Sequence, residues 1–372
     1  MKKTASLLTI GVFTAFIALF FVLRLCLPAR EFSERENRYL AQRPAFSASA
    51  LFSGSFTEDF ESYTTDQFPL RDAWTTLKAR CELLSGKREN NGVFYCGGGV
   101  LISRFDAPED SVIAENVSFL NALSENVDAP VYFALIPGAA EVQSALLPRN
   151  APTDSQAEVI EKACEESAAV NVDMLSALNA HADEYIFYRT DHHWTSLGAF
   201  YGYNALREAM GLPPADISGY ERTIVSDSFY GTAWSSSGFS WVAPDSIETF
   251  VPDGGTALIT NYRDGTAAVT PLYNESFLKV KDKYSFFLGG NTPRLSIDTG
   301  NAGPRLCVIR DSYADSLLPF LLADFSQIDL LDLRYYKSSL AEYINSGGFD
   351  AVLVMYSVPN FSTDVNLFLL GM

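Results

Sequence analysis

A handful of short, almost continuous apolar runs constrains this fold more than anything else in the chain. Residues 131–137 read Val-Tyr-Phe-Ala-Leu-Ile-Pro, and similar runs lie at 305–310, 327–333 and 351–356. A strand that does not alternate apolar with polar is covered on both faces, as strands inside a parallel sheet are. Before and between the runs lie segments of helical length with apolar residues three and four apart, at 115–123, 154–178, 312–323 and 338–345. Residues 184–188 and 284–291 read as further strands. Strand and helix in alternation predict an α/β fold with a doubly wound parallel sheet.

Other stretches break this rhythm. Residues 213–282 are rich in Ser, Gly, Thr and aromatics, without a helical period, and predict an inserted β-rich region. Asn90-Asn91-Gly92 before Val93-Phe94-Tyr95 predicts a hairpin. Gly97-Gly98-Gly99 precedes no helix and no Lys-Ser/Thr, so it reads as a turn and not as a phosphate cradle. Residues 5–23 carry no charge, with Lys2 and Lys3 before them and Arg24 after. Nineteen such residues suit a transmembrane signal anchor with its N-terminus in the cytoplasm and the remainder outside; a cleaved signal peptide is the alternative. The expected division is an anchor at 1–29, a stalk with packing helices at 30–91, in which Pro69 separates two helical pieces, and an α/β domain at 92–372.

Beyond residue 30 the chain holds 23 bases against 45 acids, a net charge of −22. Nucleic acid and anionic lipid need a basic face, so neither is the expected target. Five widely spaced cysteines form no CxxC and no metal knuckle; one bridge, Cys81 to Cys96, is conceivable, and Cys307 reads as a small core residue.

Two of only three histidines stand together in Asp191-His192-His193-Trp194, with Thr195 placed to cap the helix that follows. Residues two apart in extended chain point the same way, so Asp191 and His193 share a side while His192 faces away. The run Leu306–Ile309 leads into Arg310-Asp311-Ser312 at the start of a helix, where strand ends open on a ligand crevice. Ser312 reads either as a helix cap or, if His193 reaches it, as a nucleophile with His193 as base and Asp191 as the orienting acid. His192 and Trp194 then hold the pair in place. A metal at Asp191-His192-His193 lacks a further nearby histidine other than His181, so no metal and no cofactor is expected.

The Asp-His-His-Trp and Asp311-Ser312-Tyr313 elements resemble the bacterial DHHW family. So do Asn37-Arg38-Tyr39-Leu40, Asp66-Gln67-Phe68-Pro69-Leu70-Arg71 and Phe287-Leu288-Gly289-Gly290-Asn291. That family is similar to the alginate O-acetyltransferase group of AlgX and AlgJ. The resemblance implies an SGNH-hydrolase-like fold and acyl transfer or ester hydrolysis on a polysaccharide outside the cytoplasmic membrane, with an acyl-supplying membrane partner. It assigns Ser312 as nucleophile, His193 as base and Asp191 as orienting acid. Gly289, Gly290 and Asn291 become candidate oxyanion donors. Arg334 is a candidate for binding a carboxylate or sugar, with an ion pair to Asp332 or Asp311 as its other role. Arg310 departs from the glycine expected before Asp-Ser, and favours the competing reading, a non-catalytic envelope protein that binds glycan or a membrane acyltransferase.

Overall fold

The computed structural model describes residues 2–252, 258–263 and 266–372. They form two compact units, residues 1–87 with 238–240 and residues 88–237 with 241–372.

In the first unit, α1 (Lys2–Cys26) contains 23 residues, Thr4–Cys26, long and apolar enough to cross a membrane. Phe20 of α1 stacks on Phe68, ring centroids 5.3 Å apart. Residues 31–38, expected to be irregular, close a small hairpin of β1 (Phe32–Ser33) and β2 (Arg38–Tyr39). Arg38 makes the hairpin possible, since its fork reaches both carboxylate oxygens of Asp66 at 2.8 and 2.6 Å. Helices α2 (Ala48–Ser53), α3 (Ser55–Asp66) and α4 (Arg71–Leu84) follow, with Pro69 between the last two.

The second unit opens with a three-stranded antiparallel sheet of β3 (Glu89–Asn90), β4 (Val93–Tyr95) and β5 (Leu101–Ser103). Asn91 and Gly92 form its first turn at φ 51° and 75°, the left-handed pair that a two-residue hairpin demands. After α5 (Asp110–Asn126), β6 (Val131–Ile136) enters the main sheet, and α6 (Ala139–Val142) follows it. The single helix expected over 154–178 is instead α7 (Gln156–Glu166), β7 (Val170–Asn171) and α8 (Met174–Asn179). Val170 and Val172 favour extended chain, and β7 pairs beside β6.

No strand forms at 184–188. That segment instead folds back on the Asp-His-His-Trp element, with Thr195 N donating to Ile186 O at 2.8 Å and Tyr188 N to His193 O at 3.2 Å. Helix α9 (Ser196–Ala209) then starts at Thr195, whose side chain caps it as expected. Ribbon strands β8 (Tyr220–Phe229) and β9 (Asp245–Pro252) flank α10 (Thr232–Ser237). The expected insertion is thus only partly separate, because β10 (Leu258–Arg263) and β11 (Thr266–Thr270) extend the main sheet.

Residues 284–291 form a 3-10 turn and a bridge, not a strand. Tyr284, Phe286 and Phe287 pack with Tyr188, Phe229 and Ile247 in a side cluster away from the sheet. The strand comes later, as β12 (Arg294–Asp298), followed by β13 (Arg305–Arg310), α11 (Ala314–Leu321), β14 (Gln327–Leu331), α12 (Leu340–Gly347), β15 (Ala351–Ser357) and α13 (Val358–Thr363).

The eight-stranded sheet runs β11-β10-β12-β14-β13-β15-β6-β7. Its last five strands are parallel and its other pairings antiparallel. The apolar runs explain the layering. Leu306 and Val308 bury into one cluster with α9 and α11, while Cys307 and Ile309 bury into another with α5 and α12. Each such side chain contributes roughly 1.5–3 kcal/mol on full burial. From β13 the chain crosses to β14 on one side and returns to β15 on the other, which leaves the carboxyl end of β13 at a crevice. All five cysteines are free, so no Cys81–Cys96 bridge forms, and Cys307 is wholly buried.

Candidate active site

The turn after β13 is fixed by its own carboxylate. Asp311 Oδ1 accepts from Tyr313 N at 2.9 Å, and Oδ2 accepts from Ser357 N and Oγ at 2.8 Å each and from Asn360 Nδ2 at 2.7 Å. The ends of β13 and β15 are thereby tied together, with Ser312 partly exposed at the crevice. Ser312 Oγ lies 2.8 Å from His193 Nε2, and His193 Nδ1 lies 2.6 Å from Asp191 Oδ1. Asp191 also accepts from His193 N at 3.0 Å and from Thr232 N and Oγ1 at 2.8 and 3.1 Å. Burial alone would raise the Asp191 carboxyl. The charges of His192 and His193 and these hydrogen bonds outweigh it and hold the group well below the usual carboxylate range.

Two glycines of α9 let the helix press onto the motif. A Cβ on Gly198 would sit 2.4 Å from Ile186 O, and one on Gly202 2.7 Å from the Trp194 ring. Trp194, fully buried, donates from Nε1 to Tyr313 O at 3.0 Å and so joins the histidine segment to the serine turn. The Tyr313 hydroxyl returns a hydrogen bond to His192 O. Over His193 lies the Tyr284 ring, 3.8 Å away and 11° from parallel, with its hydroxyl donating to Ser312 O at 3.1 Å. His192 does not face away as alternation along extended chain predicts. The segment bends, its ring lies 3.9 Å from the His193 ring, and its Nδ1 is 2.7 Å from Thr232 Oγ1 and 3.7 Å from Asp191 Oδ1. The ligand atoms of Asp191, His192 and His193 lie within 4.8 Å of one another. Both His193 nitrogens already serve Asp191 and Ser312, so a metal there would compete with the serine contact.

The DHHW protein family model matches residues 104–331, more than half of the chain. The chain belongs to the DHHW family. A DHHW family protein from Eubacterium siraeum is 26% identical, with a TM-score of 0.68 over 76% of this chain and 95% of that one. Bacillus cereus PatB1 has the same fold at 22% identity and a TM-score of 0.61, over 74% of this chain and 98% of its own. A second PatB1 structure, with a sulfonyl adduct, gives 21% and 0.63 over 74% and 97%. No curated protein matches.

In this DHHW protein the remaining expected residues behave differently. Gly289 and Gly290 take left-handed φ of 79° and 89°, and Gly289 N is committed to Ser285 O at 3.1 Å. Asn291 is exposed. Arg334 forks onto Asp332 at 2.9 and 2.7 Å, its expected ion pair. Arg310 is 1% exposed and places Nη1 2.8 Å from Asp315 Oδ1, so its charge is met inside the protein and does not face the crevice. Burial pushes the Asp315 carboxyl up to about 7, against the pull of Arg310 and His193.

Several supporting residues carried no signal in the sequence. Asp245, wholly buried, accepts from Tyr185 OH at 2.6 Å, Arg189 N at 3.0 Å and Thr190 N at 2.8 Å, and so clamps the segment just before Asp191. Gly231 is required by space, since a Cβ there would lie 2.2 Å from Asp191 Cβ and Oδ2. Thr232 and Tyr284 belong to stretches whose composition suggested only strand.

Proposed function

We propose that this protein is a membrane-anchored, extracytoplasmic serine O-acyltransferase or esterase that acts on a polysaccharide, built on a doubly wound, SGNH-hydrolase-like domain. Residues 1–29 anchor it, residues 30–91 follow as stalk and packing helices, and residues 92–372 carry the chemistry. One observation supports the reading above all: the unbroken hydrogen-bond chain from Asp191 through His193 to Ser312 Oγ. His193 Nε2 takes the Ser312 proton as Oγ attacks the acyl carbonyl, and then gives it to the departing oxygen. A sugar hydroxyl, or water, reverses these steps and receives the acyl group. Asp191, kept ionised, steadies the imidazole and its positive charge. Ser312 N–H lies outside the turn's own hydrogen bonds, which run from Tyr313, Ala314 and Asp315, and serves with the N-terminus of α11 as an oxyanion donor.

The sulfonyl adduct of PatB1 suggests the probe. A fluorescent sulfonyl fluoride is expected to label the full-length protein, with labelling lost in Ser312→Ala and His193→Ala. A folded wild-type protein that stays unlabelled and hydrolyses no acetyl ester overturns the reading.

A further inference from the structure

A cavity of about 350 Å³ lies beside the triad, over the loops that follow β6 and β15. Its lining residues His192 and Tyr313 directly neighbour His193 and Ser312 in the chain, while the two catalytic candidates themselves do not line it. Leu101, Ile102, Phe105 and Ala140 give it a largely apolar wall. Set into that wall is Gln156, 2% exposed, whose Oε1 accepts from Gly138 N at 2.8 Å. Its Nε2 donates to no partner among the described residues. A buried amide that keeps one end occupied and aims the other into a cavity is satisfied by something that enters the cavity.

The charged groups of the lining are already engaged. Asp191 accepts four hydrogen bonds, and Arg104 gives Nε and Nη2 to Asp106 at 3.2 and 2.8 Å. Burial and the adjacent His193 lower the His192 imidazole, which leaves it uncharged near neutral pH. Asn360 spends Nδ2 on Asp311, so its Oδ1 remains to accept. An apolar wall with one free amide donor and one free amide acceptor, and no free charge, matches a sugar ring with apolar C–H faces and hydroxyl or acetamido edges. Its volume is at the lower end for ligand pockets, roughly 300–1,000 Å³. A fatty acyl chain would leave Gln156 Nε2 unpaired, and a uronate or phosphate would have to compete with Asp106 for Arg104, the cation of the lining.

We propose that this cavity binds one uncharged glycosyl residue of the acceptor polysaccharide, next to Ser312. The proposal rests on the acyl-transfer reading for its purpose but not for its test. Full-length Ser312→Ala protein in detergent micelles is titrated calorimetrically with cellotetraose, chitotetraose, mannotetraose, tetragalacturonate and octanoate. At least one neutral oligosaccharide is expected to bind at least tenfold tighter than tetragalacturonate or octanoate. Gln156→Glu, which keeps the acceptor for Gly138 N, and Ala140→Leu, which fills the cavity, are each expected to weaken it tenfold or more, with thermal melts confirming folding. Tighter binding of the uronate or of octanoate, neutral binding unchanged in both variants, or no oligosaccharide binding overturns the proposal. Ser312-dependent sulfonyl fluoride labelling of the wild type, with no such binding, removes the cavity assignment alone. Binding that depends on Gln156 and Ala140, with no labelling, removes the catalytic reading alone.

Discussion

Gly231→Ala tests whether the catalytic arrangement depends on space that only glycine leaves. The new Cβ would stand 2.2 Å from Asp191 Cβ and Oδ2 and 2.5 Å from Cγ. Ordinary contact begins near 3.4 Å, so the carboxylate must retreat by about 1.2 Å. A shift of that size misaligns the 2.6 Å contact between Asp191 Oδ1 and His193 Nδ1. A misplacement of about 1 Å costs on the order of 10²-fold in rate, and loss of the orienting carboxylate's function about 10⁴-fold. The expected kcat for 4-nitrophenyl acetate hydrolysis is therefore about 10²-fold below wild type, about 2.7 kcal/mol of barrier. KM should stay within threefold, because the residue touches no substrate. Overpacking lowers stability by about 1–3 kcal/mol, read as a modest fall in Tm. A folded Gly231→Ala protein with kcat within threefold of wild type would refute the reasoning, as would a change confined to KM.

Asp315→Asn should alter how stability depends on pH. A folded-state pKa of about 7 lies above the value near 3.9 of an unfolded aspartate, so the folded protein holds a proton that the unfolded chain has lost. Wild-type stability from this group falls as pH rises from about 4 to 7, and the variant lacks that fall. Melts across this window should therefore show the wild type losing ground to the variant; a gap independent of pH counts against a protonated Asp315. Arg310→Met strands Asp315 and should cost about 3 kcal/mol at pH 8, less at pH 5, while adding Asp315→Leu restores most of it. Equal melts for the single and double variants would show that the pair is not coupled. Tyr284→Phe keeps the ring over His193 and should leave kcat within about threefold, whereas Tyr284→Leu removes a ring contact of about 0.5–1.5 kcal/mol and should lower kcat up to about tenfold.

What was legible in the sequence was what short-range rules decide. Thr195 caps α9 because a hydroxyl at that place meets Gly198 N. Asp191, His192 and His193, by contrast, lie in a bend and not in extended chain, so alternation failed for His192, whose ring lies 3.9 Å from that of His193. The strand before Ser312 declared itself by the unbroken apolar run Leu306–Ile309, and its end fixed where a crevice opens. Period alone failed where two apolar patterns compete. Residues 154–178 passed for one helix because a strand as short as Val170–Asn171 leaves almost no trace in a helical window. Residues 284–291 passed for a strand because aromatic side clusters and sheet strands have the same composition.

The supporting shell was illegible for a different reason. Asp245 and Gly231 act on the histidine segment from 55 and 40 residues away, and a buried carboxylate or a glycine that must be small resembles any other until the chain is folded. Arg310 shows the same limit from the opposite side. In the sequence it stands beside the candidate nucleophile and argues against catalysis, yet Asp315, in the first turn of the next helix, draws its guanidinium into the core. A charge's position along the chain says little about the field at the site; its counter-ion decides that. The catalytic reading therefore depends less on the residue before Asp311 than on whether the Arg310–Asp315 pair stays closed, and the paired Met and Leu substitutions separate its structural effect from any effect on Ser312.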